Sequence, residues 1–569
     1  MTDKELKKLK DDLWHSADIL RQGAHLAANK YGQPILGLIF LRYADILYKQ
    51  HKAEIEEEFD KKKGTRAERS LKDISIEKCG FYLPEEAYFD KINNAPDTAE
   101  KATLVKKAME RIEEENPSMS GVFPKEVYGA LVPEEEPELL SRIVRIFKDI
   151  PENISIDLFG EIYEYFLGNF ALSEGKDGGT FYTPATVVRY MVNVLKPEAG
   201  EKKFLDPACG SGGMFVQAAR YMHDHNQSAN EMMKFRCYGV EKESDTVKLA
   251  KMNLLLNNVR GEIKEANSFY SDPYNAYGAF DYVMANPPFN VDEVVLDRVK
   301  DDKRFNEYGI PAKKSKSAKK DGDKKETVPN ANYLWISYFA TALNQKGKAA
   351  LVMANSASDA GGAELEIRQK MIEAGIIKQM ATLPSNMFTS VTLPATLWFF
   401  DKNKEKSKKD EILFIDARNV FTQVDRAHRK FSEEQIKNLA VISRLYEGDI
   451  QAFEDLLAEY KQKANNPEQK EYFEAQINWL LERFPDHKYQ DVIGLCKVAK
   501  IEGEDGIKDQ DWSLNAGRYV GVVVEDDGMT EQEFKNHMKS LNAEFVKLCD
   551  EAKSLENAIT ENIKGLFGD

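Results

Sequence analysis

Residues Phe204-Leu205-Asp206-Pro207-Ala208-Cys209-Gly210-Ser211-Gly212-Gly213-Met214-Phe215 decide how this chain is read. A short apolar strand stops at Asp206. Glycines follow, where a tight turn brings the backbone close to a ligand, and a helix opens near Met214 to Tyr221. Strand, glycine turn and helix in that order make a nucleotide-type pocket. The Gly-Lys-Ser/Thr ending of a Walker loop is missing, which disfavours phosphate cradling. Taken alone, such a turn is equally well a plain structural turn.

The next strand, Tyr238-Gly239-Val240-Glu241-Lys242, places an acid at its C-terminal edge, where a carboxylate can accept from both hydroxyls of a ribose. Its distance from Gly212 exceeds the roughly 20 residues of a minimal unit, and the polar insertion HDHNQSANE accounts for the excess. His223 and His225 fall in that insertion without a third ligand nearby, so they read as surface histidines and no metal site is expected. Further on, Phe280-Asp281-Tyr282-Val283-Met284-Ala285 runs into Asn286-Pro287-Pro288-Phe289. That places a side-chain amide, a backbone carbonyl freed from ladder pairing and an aromatic face at one sheet edge. The set suits a planar ring bearing an NH2. Such an amine is a poor nucleophile, because its lone pair is delocalised into the ring. Accepting its two hydrogens with the Asn286 oxygen and the Pro287 carbonyl favours a pyramidal nitrogen, while Phe289 stacks on the base. The bland alternative is a strand stopped by two prolines.

Around these motifs, short apolar runs alternate with helical patterns: Lys203 to Leu205, Arg236 to Val240, Tyr282 to Ala285, Ala349 to Ala354, Ile376 to Thr382 and Thr396 to Phe400. This predicts an α/β domain with a mostly parallel sheet over 156–430. It is preceded by a helical domain at 1–155 and followed by a helical region at 431–569. In the first, Ile35 to Leu41 belongs to a largely buried helix with Pro34 in its first turn. A lysine-rich run at 312–326 is expected to be a solvated loop, or a loop contacting nucleic-acid phosphates. Residues 511–524 look extended. From Glu531 to Leu566 the apolar positions Phe534, Met538, Leu541, Phe545, Leu548, Ala552, Leu555, Ile559 and Ile563 alternate spacings of three and four. That stripe suits a coiled coil or bundle.

Composition bounds the function. The 569 residues exceed a single core, and 79 Lys plus Arg against 95 Asp plus Glu leave a charge of −16, opposite to a self-sufficient DNA-binding protein. The apolar run Ile35 to Leu41 falls far short of the roughly 20 residues of a membrane span, and the N-terminus lacks the apolar core of a secretion signal, so a cytoplasmic protein is expected. Five scattered cysteines without a CxxC pair argue against disulfides or a zinc site.

DPACGSGG, Glu241 and NPPF in this order resemble the N6-adenine DNA methyltransferases. The stretches LRQGAHLAANKYGQPILGLIFLRYADILY (20–48), GEIYEYFLGNFA, GGTFYTPATVVRYMV, IRQKMIEAGIIKQMATLPSNMF and WSLNAGRYV extend the likeness to the modification subunit of type I restriction-modification systems. The resemblance implies a class I S-adenosylmethionine-dependent methyltransferase fold, a doubly wound, mostly parallel sheet with helical flanks. It implies that Thr180, Phe181, Tyr182, Thr183 and Pro184 close over the methionine end of S-adenosyl-L-methionine. Asp206, Gly210, Ser211, Gly212 and Gly213 would form the main cofactor loop, Glu241 would hold the ribose, and Asn267, with Ser268, would lie beside the adenine. Asn286, Pro287, Pro288 and Phe289 match the catalytic motif, with Phe289 in place of the tyrosine of many relatives. The implied reaction methylates N6 of an adenine flipped out of the duplex and needs no metal. The implied partners are double-stranded DNA, a DNA-specificity subunit, a second copy of this chain and a restriction subunit with translocase and nuclease activity, with no membrane. Two other readings stand beside it: a protein glutamine N5-methyltransferase, and a silent methyltransferase-fold scaffold.

Overall fold

The computed structural model describes residues 3–23, 28–66, 68–155, 157–174, 183–312, 326–388, 394–426, 428–523 and 530–567. The expected cofactor residues Thr180, Phe181 and Tyr182, and the lysine-rich run from 313 to 325, lie outside the described residues.

The first part of the chain is helical: α1 (Asp3–Gly23), α2 (Ala28–Lys62), α3 (Ala99–Glu115), α4 (Leu139–Lys148) and α5 (Asp157–Glu174). The dense apolar pattern of α2 buries Ile35, Leu38, Ile39, Phe40 and Ile46 against Val105 and Met109 of α3, Phe147 of α4 and Phe159 and Phe166 of α5. A helix apolar on most of its faces is one enclosed by neighbours. Because α2 starts at Ala28, Pro34 sits in its second turn and not its first, a correction to the sequence reading. The Pro34 carbonyl accepts a hydrogen bond from the Tyr128 hydroxyl at 3.0 Å. About three turns farther along α2, Asp45 converges with Asp90 and Glu152, but the Lys49 ammonium stands among them at 2.9, 2.6 and 3.1 Å, so an amine already supplies the countercharge.

The α/β part is a nine-stranded sheet. In chain order its strands are β1 (Lys203–Asp206), β2 (Arg236–Glu241), β3 (Gly261–Glu265), β4 (Phe280–Ala285), β5 (Leu343–Ala354), β6 (Ile377–Thr382), β7 (Ala395–Asp401), β8 (Glu411–Asp416) and β9 (Cys496–Lys500). Their spatial order is β3-β2-β1-β4-β5-β7-β6-β8-β9. β7 runs antiparallel between β5 and β6, and β9 antiparallel beside β8; the other pairings are parallel. Within β4 and β7, Tyr282 to Ala285 and Leu397 to Phe400 are continuous runs without a charged residue, because helices cover both faces. On one face lie α6 (Ala185–Leu195), α7 (Gly213–Asp224) and α8 (Ser244–Leu256); on the other lie α9 (Asn332–Ala342) and α10 (Ala363–Glu373). Strand order reverses between β1 and β4, and a crevice opens outside their C-terminal ends, where open α/β sheets bind ligands.

The expected boundary at 430 does not separate structural units. Helices α11 (Glu433–Glu447), α12 (Ile450–Lys463) and α13 (Lys470–Arg483) pack Leu439, Ile442, Phe453 and Leu480 into the same core as α6 and α7, and β9 completes the sheet. The compact unit runs to Val520. Ser432 and Gln435 start α11 with a reciprocal capping box. The segment expected to be extended near 511–524 forms no strand among its described residues. It is tied down by Leu514 N–H to the Ser358 carbonyl (2.9 Å), by Arg368 Nε to the Trp512 carbonyl (2.7 Å) and by Tyr519 stacked on Phe414.

The second unit, Gly521–Asp569, consists of one helix among its described residues, α14 (Glu531–Phe567), which carries the expected apolar stripe. Among the described residues no helix is long and apolar enough to cross a membrane.

Candidate functional site

The turn after β1 is shaped by its glycines. Gly210 and Gly212 have φ of +49° and +80°, and a Cβ on Gly212 would come within 2.8 Å of Leu254 Cδ1. No other residue fits that turn without strain. Asn253 of α8 donates to the Ser211 carbonyl at 2.8 Å, and the Ser268 hydroxyl donates to the Pro207 carbonyl at 2.5 Å. Helix and loop thus hold the turn from both sides.

Glu241 ends β2 as expected. One of its carboxylate oxygens accepts the Gly210 N–H at 3.0 Å and the other those of Lys242 and Glu243 at 2.7 and 2.9 Å. These bonds aim the carboxylate across the turn, and an ionised carboxylate has about four acceptor sites, so capacity for a ligand hydroxyl remains. Asn267 follows β3 and accepts the Phe269 N–H through its own side chain at 3.0 Å.

Asn286 follows β4 and is 9% exposed. Its Nδ2 donates to the Thr183 hydroxyl at 3.0 Å, while its Oδ1 is buried with no hydrogen-bond partner among the described residues. Thr183 belongs to the stretch assigned to the cofactor, yet its contact is with the amide, which it turns so that the oxygen stays free. After Phe289, Asn290 (φ +54°) is clamped to Asn332 of α9: its N–H donates to Asn332 Oδ1 at 2.8 Å and its Oδ1 accepts from Asn332 Nδ2 at 2.9 Å. The loop carrying Pro287, Pro288 and Phe289 is therefore anchored at both ends.

These elements enclose a narrow cleft. It brings together the expected residues Thr183, Asp206, Gly210, Ser211, Gly213 and Asn286. Gly212, Glu241, Asn267, Pro184, Pro287, Pro288 and Phe289 are not among its lining residues. The sequence reading missed Glu164, Gln217 and Asn253, which also line it. All three sit inside helices, where no motif marks them.

The lining selects the charge of its ligand. Asp206 is 1% exposed and takes the Ala208 N–H at 3.0 Å; burial pushes its carboxyl well above the usual carboxylate range, and the nearby Glu241 charge adds to that. Among the described residues no Lys or Arg lines the cleft. Acceptors without cations fit a positively charged ligand such as a sulfonium bearing an ammonium, and do not fit a phosphate.

A prediction follows from the desolvated acid. Since the folded state holds the Asp206 proton more tightly than the unfolded chain, stability falls as pH rises from the ordinary carboxylate range through the raised value. Asp206→Asn is expected to raise the unfolding temperature of the ligand-free protein at pH 8 by a few degrees, with the gain shrinking toward pH 5. A lower melting temperature at pH 8 would overturn the burial argument.

Comparison with known proteins identifies the family. Residues 154–527 match the family described as N-6 DNA Methylase, and residues 9–147 match the HsdM N-terminal domain. The chain is 34% identical to the type I restriction enzyme MjaIX methylase subunit of Methanocaldococcus jannaschii, over 98% of this chain and 91% of that protein. It is 30% identical to the HindI methylase subunit of Haemophilus influenzae, over 88% and 98%. In structure it is similar to the type I restriction-modification system methyltransferase subunit from Streptococcus thermophilus, with a TM-score of 0.68 at 21% identity, covering 91% of this chain and 100% of that one. At that identity the likeness speaks for the fold.

Proposed function

The chain belongs to the N-6 DNA methylase family, and from that premise we propose that it methylates N6 of adenine in DNA as the modification subunit of a type I restriction-modification complex. The observation that carries the chemistry is the Asn286 amide oxygen, buried beside the cleft with its acceptor capacity unused. A buried acceptor without a donor costs about 1–3 kcal/mol, and an arriving N–H would relieve that cost.

Asp206 and the glycine turn would hold S-adenosylmethionine, with Glu241 on its ribose and Asn267 beside its adenine. Bound there, it supplies an electrophilic methyl on sulfur. Asn286 Oδ1 and the Pro287 carbonyl accept the two hydrogens of the target amine and localise its lone pair. Phe289 supplies the stacking face, and the anchored loop keeps it in place. The base must leave the duplex to reach this crevice. Thr183 sets the amide orientation, and no step in this scheme calls on a metal.

The charge of −16 fits an enzyme that meets double-stranded DNA through a partner. That partner is a DNA-specificity subunit, with a second copy of this chain and a restriction subunit completing the assembly. The same NPP-aromatic motif in a glutamine methyltransferase is not favoured, because the family matches span both the α/β part and the N-terminal helices. The test is transfer of labelled methyl from S-adenosylmethionine by the chain together with its specificity subunit. Label is expected as N6-methyladenine in duplex DNA. Label in protein, or none, would refute the assignment.

A further inference from the structure

One end of the cleft is built by helices the cofactor motifs do not include. Glu164 of α5 and Gln217 of α7 both line it. Gln217 Nε2 donates to Glu164 Oε1 at 2.7 Å. Gln217 is 2% exposed, and its own Oε1 is buried with no hydrogen-bond partner among the described residues. Glu164 Oε2 lies 3.7 Å from Arg220 Nη1, beyond hydrogen-bond reach, so both carboxylate oxygens keep acceptor capacity.

Helix α5 holds this acid in place. Its opposite face, with Phe159, Ile162, Tyr163 and Phe166, is sunk in the N-terminal core. The Tyr163 hydroxyl donates to the Leu249 carbonyl at 3.1 Å, and at Gly160 a Cβ would meet Asn257 Oδ1 of the α8 terminus at 2.2 Å. The helix cannot rotate or withdraw without disrupting that packing, so Glu164 is a fixed charge.

This end of the cleft therefore offers one carboxylate and one orphan amide oxygen, both acceptors. Glu241 is bonded to the Gly210 end of the turn, so a nucleoside with its ribose there extends its other substituent along the turn toward α7. In S-adenosylmethionine that substituent ends in an α-carbon bearing a carboxylate, which needs donors elsewhere, and an ammonium with three N–H donors. The geometry points to Glu164 and Gln217 as the subsite for that ammonium, Glu164 supplying charge and Gln217 Oε1 an acceptor. The inference rests on the cleft being the S-adenosylmethionine site. It adds a residue of α5, outside the cofactor motifs, to the cofactor site.

The test is calorimetric binding of S-adenosylhomocysteine and of its deaminated analogue to the full-length protein, which reads affinity without turnover. The parent is expected to bind the deaminated compound about 10- to 100-fold more weakly, the size of a charge-assisted hydrogen bond. Glu164→Gln keeps the shape and the contact with Gln217. It is expected to bind S-adenosylhomocysteine weaker by a similar factor and to lose most of the discrimination between the two ligands. Gln217→Met should give a smaller loss in the same direction. Arg220→Ala should keep the discrimination; if it instead reproduces Glu164→Gln, the acid serves only to hold Arg220 and the inference fails. It fails equally if Glu164→Gln, melting as the parent does, discriminates as the parent does. If the parent binds neither compound, the cofactor assignment of the cleft falls, and this subsite with it.

Discussion

Asn286→Ala is expected to slow methyl transfer to duplex adenine by about a hundred- to a thousand-fold, the usual effect of removing one preorganised hydrogen-bonding group aimed at developing charge. Stability should hardly change. Among the described residues the side chain makes one hydrogen bond, from Nδ2 to the Thr183 hydroxyl, and its oxygen makes none. Its loss should thus cost about 1 kcal/mol of folding energy and relieve an unpaired acceptor in return. S-adenosylhomocysteine affinity should stay within about twofold, because in the proposed scheme the amide oxygen serves the target amine. Asn286→Asp separates acceptor from donor. It keeps an oxygen where the amine must arrive, with the Thr183 hydroxyl now donating, and should retain more activity than alanine. Thr183→Val should lower the rate without raising the KM for S-adenosylmethionine, and Thr183→Ser should restore it. The check is a single-turnover rate with the specificity subunit present. An alanine variant within tenfold of the parent would remove Asn286 from the chemistry.

What could be read from the sequence follows from how local each requirement is. The turn at Gly210 and Gly212 demands positive φ and close approach within a few residues, and Asn286 to Phe289 stands next to the strand that carries it, so both were legible as runs. Glu241 was legible because an acid closing a strand is a local pattern. Glu164, Gln217 and Asn253 were not. Each is a polar residue in an amphipathic helix, indistinguishable by spacing from a solvated position until the fold brings α5, α7 and α8 to one cleft. Among the strands, β8 passed unnoticed in a charged stretch. β9 was hidden because about eighty residues, mostly the helices α11 to α13, separate it from its partner β8. That distance is also why the sheet was taken to end at 430. Pro34 was placed by the rule that proline opens helices, and here burial of the surrounding apolar residues carries the helix through it.

Substituting Leu541, Leu548 and Leu555 together by aspartate is expected to abolish co-purification with a specificity subunit while leaving the catalytic unit untouched. In the chain by itself these leucines are 46, 56 and 64% exposed, so replacing them forfeits little folding energy. Surface changes of that kind usually stay within about 0.5 kcal/mol each. Helix α14 instead presents Phe534, Met538, Leu541, Phe545, Leu548, Leu555 and Ile559 as one stripe, with the alternating three- and four-residue spacing of a left-handed coiled coil. A run of exposed apolar side chains this long is a surface built to be covered. Burying a leucine contributes about 1.5–3 kcal/mol, and placing a carboxylate there instead adds a desolvation penalty. Three substitutions on one stripe thus remove more than most assemblies can lose. The expected result is an unchanged melting temperature and unchanged S-adenosylhomocysteine binding, with no stable complex by size-exclusion chromatography and no methylation of duplex DNA. Retention of the complex would show that α14 is covered by something other than the specificity subunit. A fall in melting temperature would show that the stripe already packs within the chain.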